Sequence, residues 1–419
     1  MYNQPSREKY LMELQENMLP FWEKAIDRKF GGVFTCYTNE GDRLISDRKY
    51  VWSQGRFLWL ACKLQMLKEQ GMVQLSQHWK ETIDATFQFL NKNAVMSNNH
   101  IVFALERDGR KIDDEMDKSI FADCFYVLGC NAYSHYMKDM EAFEHSLIVY
   151  KTVKLRIENN DFDSEPYPIP AGYKAHSIPM ILLNVVEELY ETANAFHHPS
   201  RSFLLQDTKA YLDEIMKELA EDGRIVEMKP AAWNNTDTLL SRHVNPGHTL
   251  ESSWFMIHSL RNLQLANEKD YISDISKLAM NALTIGWDER QGGLFRFVDK
   301  EGGMPQGELI GTPIESLIRE TWDTKLWWPH SEALYTTLLF YEKTGEKDWL
   351  KWHKKLDEYV FHTFPNKNKE IGEWIQIRDR NGAPLQKVVA LPVKDPFHII
   401  RNYILIIQLL EGKNYYDIG

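Results

Sequence analysis

Apolar residues recur three and four positions apart in twelve stretches of the 419-residue chain: 6–27, 52–70, 75–93, 119–137, 139–158, 174–194, 201–221, 248–266, 269–286, 325–344, 346–363 and 396–411. That spacing lays an apolar stripe along one face of an α-helix and predicts twelve helices. A second pattern interrupts them. "GGVFTCYTNEGD" (31–42), "GGLFRFVDKEGG" (292–303), "GEWIQIRDRNGA" (372–383) and "IVFALERDGR" (101–110) each join an aromatic-rich extended run to a polar turn with glycine. This is the signature of a short β-hairpin. Helix pairs with small hairpins at one end predict an all-α fold, an (α/α)6 barrel of twelve helices. An irregular period leaves an open helical solenoid as the alternative. With no Ser/Gly/Pro-rich linker and no long charge block, residues 1–419 read as a single barrel domain. A closed ring of inner helices would bring polar residues from distant parts of the chain to one place.

Composition narrows the partners. The formal net charge of −11 lacks the basic footprint that nucleic acid requires. The longest apolar run, "YILIIQLL", is too short to span a bilayer. The polar start "MYNQPSREKY" carries no signal-peptide pattern, so the expected compartment is cytoplasmic. Cys36, Cys62, Cys124 and Cys130 show no C-x-x-C spacing and read as reduced core thiols. Thirteen Trp and nineteen Tyr supply flat amphipathic surfaces, useful equally to a sugar cleft and to a large core.

Three segments carry candidate chemistry. In "NPGHTLESSWF" (245–255), His248 and Glu251 stand three apart and share a helix face; in "DPFHIIRNY" (395–403), His398 and Arg401 do the same. Each pair by itself fits a satisfied structural histidine more readily than a catalytic one. "KLWWPHSEA" (325–333) sets His330 and Glu332 beside Trp327 and Trp328, either as the start of a core helix or as a sugar platform with a carboxylate. His330 and Glu332, two apart, make a poor metal pair on a helix. His353 and His362 lie in polar helical surroundings and read as solvated. Arg56, on an otherwise apolar helix in "YVWSQGRFLW" (50–59), must be paired in the core or reach into a cavity. Phosphate loops, the dinucleotide glycine fingerprint, H-E-x-x-H and G-x-S-x-G are all absent, so phosphoryl transfer, hydride transfer, zinc proteolysis and serine hydrolysis lack support.

Together "KYVWSQGRFLW", "NPGHTLESSWF", "GWDERQGGLFRF", "KLWWPHSEA" and "PFHIIR" resemble, in order, the motifs of the N-acylglucosamine 2-epimerase (renin-binding protein) family. The resemblance spans about residues 6–411 and implies an (α/α)6 barrel and an isomerase of carbohydrate metabolism that interconverts N-acetylglucosamine and N-acetylmannosamine. It places the family's two catalytic histidines on His248 and His398. The essential arginines fall on Arg56 and Arg401 and the essential glutamate on Glu332, and Glu251 matches the carboxylate following the first histidine; Trp327, from the platform reading, joins them as a candidate substrate-binding residue. It implies no required cofactor and no metal, leaves room for activation by a nucleotide such as ATP, and by analogy with animal members suggests a homodimer. Cellobiose epimerases and mannose isomerases carry a further histidine at the position matched here to Asn184, which favours the N-acyl-sugar branch. Two stretches depart from the family pattern, "LPVKDPFHIIRN" and an insertion, 301–323, ahead of Lys325. Both bear on the N-acyl pocket. A mannose isomerase or 2-epimerase, an inverting glycoside hydrolase using Glu251 and Glu332, and a non-catalytic binding protein are the competing readings.

Overall fold

The computed structural model describes residues 6–231, 237–389 and 391–412. All twelve predicted stretches are helical. Six helices are buried along nearly their whole length: Val51–Glu69, Ile120–Met137, Ser177–Ala195, Pro246–Leu263, Trp327–Thr344 and Phe397–Leu410. A helix that is apolar all round can only be stable inside a protein. The intervening helices bury one stripe: Lys347–Thr363 buries Trp349, Leu350, His353, Leu356 and Val360 and leaves its lysines outside. Each buried helix packs on the next, and Phe397–Leu410 packs back onto Val51–Glu69. The inner ring is therefore closed, an (α/α)6 barrel and not an open solenoid. His353 is a correction to the sequence reading. It is buried, its Nε2 against the Tyr10 hydroxyl at 2.9 Å, and burial lowers it to about 4.

Close helix approach begins at Gly55, where a Cβ would fall 2.1 Å from the Phe125 carbonyl oxygen. Its absence lets Val51–Glu69 press on Ile120–Met137 and sets the Arg56 guanidinium 4.0 Å from the Phe125 ring centre.

The short strands do not pair as the local hairpins the turn signals predicted. Lys49–Tyr50, ahead of one inner helix, pairs with Ala104–Leu105, beyond the next outer helix. Tyr173–Ala175 with Met228–Pro230, His243–Val244 with Val298–Asp299, and Lys325–Leu326 with Ile377–Arg378 repeat the plan. An inner and an outer helix run antiparallel, so the strand entering the pair and the strand leaving it meet at one end. The predicted turns are closed by isolated bridges such as Tyr37 with Leu44 and Arg378 with Pro384. Among the described residues only Ala220–Glu221 and Arg224–Ile225 form a local two-stranded hairpin. All four long-range pairs lie where inner helices begin, and that end carries the site. The insertion adds an unforeseen helix, Pro313–Thr321, started by a Thr312–Glu315 capping box. No helix among the described residues is long and apolar enough to cross a membrane. All four cysteines are buried and free.

Candidate active site

The inner helices deliver their first turns to a cavity of about 190 Å³. Asn245 caps the Pro246–Leu263 helix, its side chain accepting the His248 backbone N–H at 3.2 Å, and Pro246 fixes the first turn. At Gly247 a Cβ would collide with the Trp328 ring at 2.5 Å. Without one, Trp328 settles against both candidate bases: its ring centre lies 5.2 Å from that of His248 and 5.6 Å from that of His398. The two histidines, 150 positions apart, thus share one indole and one cavity.

Each imidazole is oriented by a carboxylate. His248 Nδ1 lies 3.0 Å from Glu227 Oε2, and the other Glu227 oxygen lies 3.2 Å from Nδ1 of His176. His398 Nδ1 lies 2.7 Å from Glu332 Oε1. A carboxylate only accepts, so each Nδ1 carries the proton and each Nε2 is left for chemistry. Their surroundings then diverge. Burial would lower His248, but the adjacent Glu227 carboxylate outweighs it and the group is raised. Burial raises Glu227 in turn, and the two histidines overcome it, so the carboxylate stays ionised well below its usual range. For His398 burial prevails over the attraction of Glu251, with Arg56 lowering it further, to about 3. One imidazole is thus set to hold a proton and the other to stay neutral.

Behind His398 lies a dense polar layer. Glu332 accepts from Arg401 Nη2 at 2.7 Å, Asn402 Nδ2 at 2.8 Å and Trp254 Nε1 at 2.7 Å, and the same Arg401 nitrogen donates to Glu251. Arg56 Nη1 donates to Asp395 Oδ2 at 2.9 Å, and that oxygen is 3.6 Å from His398 Nε2. Burial lowers Arg56 to about 10, against the pull of Asp395.

Of the residues predicted from sequence, His248, His398, Arg56, Glu251 and Trp327 line the cavity. Glu332 and Arg401 stand behind His398 and reach the cavity only through it and Glu251. Asn184 is buried in the Ser177–Ala195 helix, but the cavity positions there are Ser177, Met180 and Ile181. The position chosen to separate the sugar branches therefore lies one turn too deep. His330 is a core histidine, accepting the Leu294 N–H at 2.8 Å and lowered by burial to about 3. Sequence reasoning missed Glu227, Asp395 and Arg296. Asp395 offered a signal, an acid three residues before His398; Glu227 and Arg296, on loops, offered none.

Among the described residues, two groups gather nitrogen and oxygen donors within 4.8 Å: His176, Glu227 and His248, and Glu251, Glu332 and His398. In the first, each Glu227 oxygen already takes one imidazole N–H. In the second, the Arg401 guanidinium occupies the carboxylate oxygens a cation would need.

The family model for N-acylglucosamine 2-epimerase (GlcNAc 2-epimerase) matches residues 32–401. The chain belongs to that family. N-acylglucosamine 2-epimerase from Homo sapiens is 31% identical over 407 residues, covering 94% of this chain and 88% of that protein. The protein of the same name from Bos taurus is 28% identical over 409 residues, covering 95% of this chain and 89% of that one. Among solved structures, cellobiose 2-epimerase from Bacillus thermoamylovorans superimposes with a TM-score of 0.78 at 18% identity, over 96% of this chain and 99% of its own. A D-mannose isomerase does so with 0.75 at 15% identity, over 97% and 100%. These likenesses establish the shared barrel. As a member of the N-acylglucosamine 2-epimerase family, the chain is a carbohydrate epimerase, an isomerase.

Proposed function

We propose that this sugar 2-epimerase interconverts N-acetylglucosamine and N-acetylmannosamine, that His248 and His398 carry the protons at C2 of the open-chain sugar, and that residues 1–419 act as one catalytic domain. The observation that carries this reading is the pair of imidazoles packed on Trp328 with opposed electrostatic settings. Groups whose surroundings drive their proton affinities apart are suited to divide acid and base roles. In the open-chain form the C1 aldehyde acidifies the C2 proton. Neutral His398 takes that proton through Nε2, the C–H electron pair moves into the C1–C2 bond, and the carbonyl oxygen becomes an enolate oxygen. Protonated His248 then delivers a proton to the other face of C2, and the aldehyde re-forms with C2 inverted. Arg56 lines the cavity and keeps guanidinium N–H groups beyond the one given to Asp395, so it is placed to steady the enolate oxygen. Arg401 acts at one remove, by holding Glu251 and Glu332. The steps move a single proton pair and call for no redox carrier.

Purified protein in chelator, without NAD, is expected to convert either N-acetyl sugar into the other, read as product by NMR. Adding ATP to the same assay tests nucleotide activation. Conversion of plain mannose with both N-acetyl sugars untouched would replace the N-acyl assignment by the mannose reading. Asn184, which is not among the cavity-lining residues, does not discriminate between the two readings. A hydrolase is poorly supported, because Glu251 and Glu332 converge on one Arg401 nitrogen instead of facing each other across a bond.

The rate in both directions requires one proton shared between the two imidazoles. It falls on the acid side when His398 also binds a proton, and on the alkaline side when His248 loses its own. Because Glu227 raises His248, Glu227→Gln is expected to move the alkaline limb of kcat/KM to lower pH. An alkaline limb that stays in place would separate Glu227 from His248 titration.

A further inference from the structure

Arg296 is a buried cation that the chemistry above does not use. It lines the cavity, and it is only 4% exposed. Its polar partners among the described residues are neutral: Nη1 donates to Thr321 Oγ1 at 2.9 Å, and Nη2 to the Tyr167 hydroxyl at 3.0 Å and the Val389 carbonyl at 3.3 Å. The other cavity charges are matched, Arg56 by Asp395, Glu251 by Arg401 and Glu227 by His176 and His248. A guanidinium taken out of water gives up hydration that neutral acceptors restore only in part. It also has five N–H donors, and three bonds leave two of them for a ligand in the cavity. Its field reaches His248, the imidazole set to hold a proton.

We propose that Arg296 is a specificity-determining residue for an oxyanion on the sugar, so that the preferred substrate is an aldose or N-acyl aldose carrying a carboxylate or a phosphate. The proposal rests on the sugar-epimerase reading of the site and adds a substrate class to it. The size of the cavity fits it. About 190 Å³ is less than the roughly 300–1,000 Å³ of sites for drug-sized ligands, which suits one sugar unit with a small substituent. The protein as a whole carries −11, which repels an anion at long range, so binding an acidic sugar would depend on a local cation such as Arg296. Arg296 also stands just ahead of the insertion, whose helix brings Ile314 and Leu317 to the cavity and holds the guanidinium through Thr321. A planar fork held by three neutral groups is pre-organised for a carboxylate or phosphate.

The same three contacts would also make Arg296 a clasp between loops, and the test must separate the two roles. C2-proton exchange in heavy water, followed by NMR, would compare N-acetylmannosamine with its 6-phosphate, and mannose with mannuronate. The wild-type protein is expected to prefer one acidic sugar over its neutral parent by roughly 10- to 100-fold in kcat/KM, as one charge-assisted pair provides. The phosphate and carboxylate arms identify the oxyanion. Arg296→Met should bring that ratio close to one. Tyr167→Phe, which removes a clasp contact and keeps the charge, should preserve it. A wild-type protein that turns over the neutral sugars as well as both acidic ones overturns the proposal, and this arm needs no variant to fold. So does an unchanged ratio in folded Arg296→Met, or a ratio that collapses equally in Tyr167→Phe. Exchange with none of the four sugars would overturn the sugar reading of the site, and this inference with it.

Discussion

Replacing His398 with asparagine is expected to abolish net epimerisation, a loss of roughly 10²- to 10⁴-fold, while leaving half of the reaction intact. Inversion needs a base on one face of C2 and an acid on the other. Exchange of the C2 proton with solvent needs only one base and a stabilised enolate. In the proposed mechanism His398 would serve the gluco epimer and His248 the manno epimer. His398→Asn should therefore exchange the C2 proton of N-acetylmannosamine in heavy water without forming product, and leave that of N-acetylglucosamine alone. His248→Asn should do the reverse. The loss is large because the neighbouring imidazoles are committed elsewhere: His176 is fully buried between Glu227 and Ser252, and His243, which also lines the cavity, is held at Nδ1 by the Leu240 carbonyl and lowered by burial. Exchange of both epimers by either single variant would mean that one residue serves both faces, and the two-base mechanism would fall.

The second large effect is on the fold. Glu332 is fully buried and accepts from four side chains: Arg401, Asn402, Trp254 and His398. Glu332→Ala strands those donors and leaves Arg401 with Glu251 alone. Breaking a buried, hydrogen-bonded ion pair costs about 3–5 kcal/mol. Thermal unfolding should show a melting temperature several degrees lower, and activity should be lost even below it, because His398 loses the group that fixes its tautomer. Glu332→Gln keeps an acceptor in place and should recover a good part of the stability, with less of the activity. An alanine variant that melts with the wild-type protein would remove Glu332 from the centre of this network.

The helices were legible because helical periodicity is local. A buried stripe repeats every three to four residues whatever the rest of the chain does, and "WLKWHKKLDEYV" shows it without help. His353 in that same run was misjudged for the same reason. Its neighbours in sequence are lysines, yet it sits on the stripe, and the Tyr10 hydroxyl that satisfies it comes from the other end of the chain. The strands went wrong in the same manner. A turn such as "NEGD" reports that the chain reverses, while the partner of Lys49–Tyr50 lies beyond a whole helix pair. His248, His398, Arg56 and Glu251 were legible as charged or titratable groups on apolar helices, where burial forces a partner or a purpose.

The amino-acid sequence by itself determined twelve helices, the i, i+3 pairs at two helix starts, and the family motifs that join them. Ring closure decided the rest. It brings Arg401 to Glu251 across 150 positions and Arg56 to Asp395 across 339, and it puts Asn184 one turn below the cavity. It alone gives the two histidines opposite settings, by setting ionised Glu227 against His248 while burial governs His398. Proton affinity follows burial and the nearest charges, and both are properties of distances that exist only once the ring has closed.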